Sequence, residues 1–124
     1  MTILVVDDSR IMRNIIKNAL AQTPKYERAI FLEAPDGAEA MRILEAKEID
    51  LLLLDWNMPN LNGLDLVRRL RAQLEYKSLP IIMITSEAAK YNVIEAVKAG
   101  VNDYLIKPVS DRSLLEKIER LGRF

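Results

Sequence analysis

An alternation constrains this chain more than any single motif does. Short, almost wholly apolar runs recur along it, and a segment with helical spacing follows each of them. The runs at 2–6 (TILVV), 29–32, 51–54 (LLLL), 80–84 (PIIMI) and 101–106 predict five strands. Helical spacing follows over 11–20, with Ile11, Ile15 and Ala19 on one face. It resumes from Asp36, where Asp36-Gly37-Ala38-Glu39 has the form of a capping box, to about Ala46. A third helix is predicted from Gly63 to about Leu74, with Leu66, Leu70 and Leu74 aligned. A fourth covers 90–99, with Val93 and Val97 aligned and Gly100 as C-cap. A fifth starts at a cap on Ser110 or Asp111 and turns Leu114, Ile118 and Leu121 inward. Strands alternating with helices predict a parallel sheet covered on both faces, whose strands read as continuous apolar runs. At 124 residues the chain has about half the length of a closed eight-stranded barrel. The expectation is one α/β domain over 1–124, a flavodoxin-like open five-stranded parallel sheet with five helices on both faces.

Composition narrows the chemistry. Lys plus Arg and Asp plus Glu both number 18, so no basic excess points to nucleic acid. Cys and His are absent, which removes disulfides, thiolates, the commonest general base and the commonest transition-metal ligand. No apolar run approaches the ~20 residues of a membrane span, and no signal-peptide pattern opens the chain. The expectation is a soluble, cytoplasmic protein whose chemistry rests on carboxylates, hydroxyls and lysine.

Those groups sit where a parallel sheet binds ligands, beyond the carboxyl ends of the strands. The first strand ends in Asp7-Asp8, the third in Asp55, the fourth in Thr85-Ser86 and the fifth in Lys107-Pro108. Each has an ordinary alternative: Asp7-Asp8 as a helix cap, Asp55 as a loop start, Thr85 as a strand residue, Lys107 as a surface lysine. Their joint occurrence at four strand ends favours a single pocket. Three carboxylates together repel unless cations neutralise them, and an oxygen-only set suits Mg2+ rather than zinc. Such a pocket is suited to phosphoryl transfer, with Asp55 as nucleophile, Lys107 and a metal neutralising charge, and Thr85 donating a hydrogen bond.

The segments LVVDDS (4–9), EAPDGAEA (33–40), LLLLDWNMPNLNGLDL (51–66), LPIIMITSE (79–87) and KAGVNDYLIKP (98–108) together resemble the receiver domains of two-component response regulators. The similarity is greatest to the single-domain CheY-type chemotaxis regulators. The resemblance implies the sheet order 2-1-3-4-5. It also implies Asp55 as phosphoacceptor, and Asp7, Asp8, Asp55 and the backbone carbonyl of Asn57 around Mg2+, with Mn2+ as a substitute. Thr85 and Lys107 would contact the phosphoryl group, and Thr85 with Tyr104 would form the switch. Asn57 and Glu87 would tune hydrolysis. Gly63 matches a glycine in the loop after the acceptor, and a cis peptide is implied at Lys107-Pro108.

The function so implied is a phosphorylation-dependent switch in chemotaxis or flagellar motor control, not a turnover enzyme. Its phosphodonor would be a histidine kinase and its target a protein such as a flagellar motor switch protein, with no nucleic acid or membrane insertion and a monomeric state. Lys90, Ile94, Lys98, Tyr104 and Lys117 are the expected output surface, Trp56 an expected reporter of metal binding. Residues 22–28 form a longer connection than the family's, and Val101 and Val109 depart from its alanine and phenylalanine beside the output face. The chain ends soon after the fifth helix, so output through protein contact is expected; a receiver fragment of a larger regulator is the alternative. A haloacid-dehalogenase-like phosphatase would need an Asp where Asn57 stands, and a flavin module a phosphate loop where Asp7-Asp8 stands. An inert pseudo-receiver is disfavoured by the intact pocket.

Overall fold

The computed structural model describes residues 1–122; residues 123 and 124, the end of the expected domain, lie outside the described residues. Its strands are β1 (Thr2–Val6), β2 (Ile30–Ala34), β3 (Leu51–Leu54), β4 (Ile81–Thr85) and β5 (Asp103–Ile106). The helices are α1 (Arg10–Ala21), α2 (Gly37–Ala46), α3 (Gly63–Arg71), α4 (Lys90–Ala99) and α5 (Asp111–Arg120). All strand pairs are parallel, in the order β2-β1-β3-β4-β5.

Alternation along the central strands divides the core in two. Leu52 and Leu54 of β3 face the layer built on α2, α3 and α4, where Leu44, Leu66, Leu70 and Ala96 pack. Leu51 and Leu53 face the layer on α1 and α5, with Ile16, Leu20, Leu114 and Ile118. All four leucines are at most 1% exposed, so β3 is a strand without a solvent face. It reaches the rim between β1 and β4, with Leu54 beside Val6 on one side and Met83 on the other.

Several helix faces differ from expectation. Ile11 and Ile15 are exposed, and α1 buries Ile16, Ala19 and Leu20 instead, with Met12 packed alongside. Both stripes have helical spacing, and docking on the sheet selects the one that meets Ile3 and Val5. Helix α3 ends at Arg71, and Leu74, in a 3-10 turn over Leu74–Tyr76, is 84% exposed. That turn buries Tyr76, whose hydroxyl donates to the Leu44 carbonyl at 3.1 Å. Val97 also points outward, because Ala96 is the α4 residue set against the core. Residues 22–28 are a compact connection: a 3-10 turn over Pro24–Tyr26 buries the Tyr26 ring, and its hydroxyl donates to Glu119 at 3.2 Å. Glu119 and burial push that phenol up to about 12, burial contributing most.

Capping follows the sequence closely. Asp36 accepts from the Glu39 amide at 2.8 Å, although the Glu39 carboxylate pairs with Arg42 rather than returning to Asp36. Ser110, not Asp111, caps α5. Gly100 closes α4 at φ 119°, and a Cβ there would stand 2.7 Å from Arg71 Cγ. Arg71 explains that approach. Its guanidinium donates to the Gly100, Tyr76 and Lys77 carbonyls and to Asn102, fastening α3 to the α4–β5 connection.

Candidate functional site

The carboxyl ends of β1, β3, β4 and β5 bring the expected residues to one rim. Asp7 follows β1 directly; its amide donates to the Ala34 carbonyl at 3.1 Å, which carries the sheet pairing one residue past the strand. The Asp55 amide does the same to Val6 at 2.9 Å. Strand pairing therefore aims both carboxylates, and both are buried, at 1% and 7% exposure.

Lys107 bridges them. Its ammonium lies 2.9 Å from Asp7 Oδ2 and 3.0 Å from Asp55 Oδ2. The remaining oxygens are also occupied: Asp7 Oδ1 accepts from the Ser9 amide at 2.8 Å, and Asp55 Oδ1 from the Trp56 amide at 2.6 Å. Burial pushes the Asp7 carboxyl above its ordinary value despite the bonds to Lys107 and Ser9. Burial opposes the charge of Lys107, but its bonds to Asp7 and Asp55 hold its pKa above the ordinary lysine value. Asp8 is exposed, and the cap of α1 is Ser9, which accepts from the Met12 amide; Asp7 and Asp8 are not the cap.

Carboxylate oxygens of Asp7, Asp8 and Asp55 lie within 4.8 Å of one another. With Lys107 as the cation bonded to two of them, the cluster keeps excess negative charge. An all-oxygen set of this spacing fits a hard divalent cation such as Mg2+.

Thr85 is fully buried at the end of β4, and its hydroxyl accepts from the Glu87 amide at 3.4 Å. Tyr104 of β5 is tucked in at 8% exposure, its hydroxyl donating to the Glu87 carbonyl at 2.6 Å. Burial, reinforced by Glu87 and Asp55, pushes this phenol up to about 12, so it is a neutral donor. Asn57 and Glu87 meet directly: the Asn57 amide donates to Glu87 Oε1 at 2.6 Å, and Asn92 of α4 donates to Oε2 at 3.2 Å. Gly63 has a steric reason. A Cβ on it would stand 2.0 Å from the Asp55 carbonyl oxygen, and its amide donates to the Trp56 carbonyl at 2.8 Å. The Lys107-Pro108 peptide is cis.

The expected output surface comes together only in part. Lys90, Ile94 and Lys98 are exposed along α4, joined by Tyr91 at 70% and Val97 at 57%. Tyr104 is not an exposed contact here, and Lys117 is held by Asp103 at 3.1 Å. Val101 is 6% exposed, in the core, while Val109 is half-buried against the α1–α5 layer. Sequence reasoning missed Arg13, whose guanidinium donates to the Asp7 carbonyl; its place on α1, one to two turns past Asp8, was the available signal. Among the described residues no helix is long and apolar enough to cross a membrane.

Comparison with known proteins places the chain in a family of the same fold. The family model described as the response regulator receiver domain matches residues 3–119. The chemotaxis protein CheY1 of Helicobacter pylori strain J99 is 52% identical over 96% of this chain and 94% of its own. The chemotaxis protein CheY of Pseudomonas aeruginosa is 46% identical over 98% and 95%. Among solved structures, the chemotaxis response regulator CheY4 of Vibrio cholerae superposes with a TM-score of 0.86 at 30% identity over 97% of both chains. A response regulator of Chloroflexus aurantiacus superposes with a TM-score of 0.88 at 29% identity over 98% of both. Fold and sequence agree, and the chain belongs to the response regulator receiver domain family.

Proposed function

We propose that Asp55 is the residue phosphorylated in this receiver domain, a phosphorylation-dependent signalling switch of the CheY chemotaxis type. The observation that carries the assignment is the bridge of Lys107 between the buried carboxylates of Asp55 and Asp7 at the end of the central strand. An Asp55 carboxylate oxygen attacks the phosphorus of a phosphohistidine or acyl phosphate. The P–N or P–O bond to the donor breaks, and an aspartyl phosphate forms. Lys107 is already in place to neutralise charge on the phosphoryl oxygens, and Thr85 to donate a hydrogen bond to one of them. Asp7, Asp8, Asp55 and the Asn57 carbonyl would hold Mg2+ or Mn2+, which supplies positive charge against the phosphoryl oxygens. Asn57 and Glu87, bonded to each other at the rim, govern access of the hydrolytic water.

The whole chain, 1–124, reads as one receiver domain, phosphorylated by a histidine kinase and acting through protein contact, with a flagellar motor switch protein as the target class. It resets its own aspartyl phosphate and turns over no external substrate. The α4 face with Lys90, Ile94 and Lys98 is the accessible part of the output surface. The test is incubation with acetyl phosphate and Mg2+ followed by intact mass. One added phosphoryl group is expected in the wild type and none in Asp55→Asn; an unmodified folded wild type, or a modified Asp55→Asn, overturns the assignment.

A further inference from the structure

The acidic pair is held by its backbone as well as its side chains, and one residue holds that backbone. We propose that Arg13 is a positioning residue for the divalent-cation site: its guanidinium fixes the peptide plane between Asp7 and Asp8 and so sets the cation affinity of the three carboxylates. This rests on the reading of Asp7, Asp8 and Asp55 as a cation site.

Asp7 stands beyond the last residue of β1, where sheet pairing supplies a partner for its amide but none for its carbonyl. Arg13 Nη1 supplies that partner at 2.5 Å. The peptide is planar, so fixing the Asp7 carbonyl direction fixes the amide and Cα of Asp8. Asp8 needs this constraint. Its exposed side chain has no hydrogen bond or ion pair among the described residues, yet its carboxylate lies within 4.8 Å of the other two. Only its backbone path can keep it there against their repulsion.

Arg13 is itself held. Its Nε donates to Glu33 Oε1 at 3.0 Å, and Lys17 Nζ donates to Glu33 Oε2 at 2.7 Å. Glu33 lies on β2, in register with Val5, so the support comes from the neighbouring strand. A planar guanidinium can point Nε at a carboxylate and Nη1 at a carbonyl simultaneously, whereas an ammonium has no such fixed fork. An ordinary surface ion pair would stop at Glu33. Here the arginine side chain is only 14% exposed, and the bond to a ligand-bearing peptide is what gives the pair a consequence.

The test measures Mg2+ affinity of the full chain, by fluorescence of Trp56, the single tryptophan beside Asp55, and by calorimetry. Support residues behind metal ligands are typically worth 10–100-fold in affinity, so Arg13→Gln is expected to weaken Mg2+ binding about 10-fold. Arg13→Lys should recover part of the loss, and Glu33→Gln should weaken binding about two- to fivefold. Arg71→Gln, which breaks the clamp beneath Gly100, is the control: it should lower the melting temperature without changing Mg2+ affinity. Arg13→Gln binding Mg2+ as the wild type does, or Arg71→Gln losing as much affinity, overturns the inference. If Arg13→Gln does not fold, Glu33→Gln decides, and unchanged affinity there overturns it as well. A wild type that binds no Mg2+ by either method removes the cation-site reading and this inference with it. Wild-type binding with an unaffected Arg13→Gln removes the inference alone.

Discussion

Replacing Asp8 by Asn should make the metal-free protein more stable. Asp8 faces two other carboxylates within 4.8 Å and has no favourable partner among the described residues, while Lys107 serves Asp7 and Asp55 only. Two unit charges at 4.8 Å repel by about 0.9 kcal/mol at the dielectric of water, the appropriate limit for an exposed carboxylate. Two such pairs give about 1.7 kcal/mol, and the attraction of Lys107, within about 8 Å of Asp8, returns about 0.5 kcal/mol of it. Screening leaves a net of about 1 kcal/mol at 10 mM salt and about 0.7 kcal/mol at 150 mM. With a typical unfolding entropy for this length, 1 kcal/mol corresponds to about 4 °C in melting temperature. Asp8→Asn is therefore expected to melt about 4 °C above the wild type in low salt with EDTA and about 3 °C above it in physiological salt.

Thermal and urea denaturation at both salt concentrations, with EDTA and then with Mg2+, checks this. Mg2+ should stabilise the wild type, because binding to the folded state alone raises its stability, and should stabilise Asp8→Asn much less. Asp7→Asn should gain less than Asp8→Asn, because it also loses a carboxylate that holds Lys107 at 2.9 Å. A variant no more stable than the wild type in EDTA at either salt concentration would refute the repulsion argument. An undiminished Mg2+ effect in Asp8→Asn would refute the role of Asp8 as a ligand.

Gly63→Ala should cost about 2–3 kcal/mol in urea denaturation and slow phosphorylation by acetyl phosphate, because the added Cβ must displace the Asp55 carbonyl now 2.0 Å away; wild-type stability and rate would contradict this. Acid titration of stability should separate Glu33 from Asp7. Lys17 chiefly, with Arg13, holds the Glu33 carboxyl below its ordinary value of 4.5, so its stabilising contribution is present above that value and lost as pH falls through the lower folded pKa. Glu33→Gln should thus lose stability relative to the wild type near neutrality and converge with it in acid. Burial raises Asp7 above 3.8, so ionising it costs the fold stability as pH rises through its folded pKa. The stability of Asp7→Asn relative to the wild type should therefore increase over that interval, a trend opposite in sign to that of Glu33→Gln.

What the sequence made legible follows from how much each residue's environment depends on neighbours far along the chain. Leu51–Leu54 could be read from its place in the alternation, because so short an apolar run between two helical segments fits a strand buried on both faces, as it is. The strand order could not be read from periodicity; it came with the resemblance. On α1, Ile11 with Ile15 and Met12 with Ile16 offer two stripes of equal helical spacing, and only the angle at which the helix meets β1 selects the second. Leu74 continued the spacing of Leu66 and Leu70, but the chain turns after Arg71 and sends Tyr76 inward instead. The rim residues were legible because each closes a strand. The Asp103 partner of Lys117 was not, since it depends on a contact between elements, and for Arg13 the spacing past Asp8 along α1 brings the side chain near without specifying its bond to the Asp7 carbonyl.

The pocket and the α4 face meet at Glu87, and the proposed switch turns on the bonds that Glu87 makes. Its amide is accepted by the Thr85 hydroxyl at a long 3.4 Å, its carbonyl takes the Tyr104 hydroxyl at 2.6 Å, and its carboxylate takes Asn57 from the β3 end and Asn92 from α4. In the proposed switch the Thr85 hydroxyl, which accepts from the Glu87 amide, has its own proton to donate to a phosphoryl oxygen on Asp55, and turning toward it strains only the longest of these contacts, while Tyr104 already lies inward. A phosphoryl group adds roughly one to two negative charges to a rim whose carboxylates Lys107 bridges, so turning Thr85 toward it sets a charge-assisted bond against the stretching of a long neutral one. Moving a population from 1:99 to 99:1 requires about 5.5 kcal/mol, which two or three charge-assisted bonds of ~1.5–3 kcal/mol can supply. The bonds of Asn57 and Asn92 keep the Glu87 side chain attached to β3 and α4 throughout. In the proposed switch a change at Thr85 would reach α4, the helix carrying Lys90, Ile94 and Lys98, through Glu87, which bonds to both.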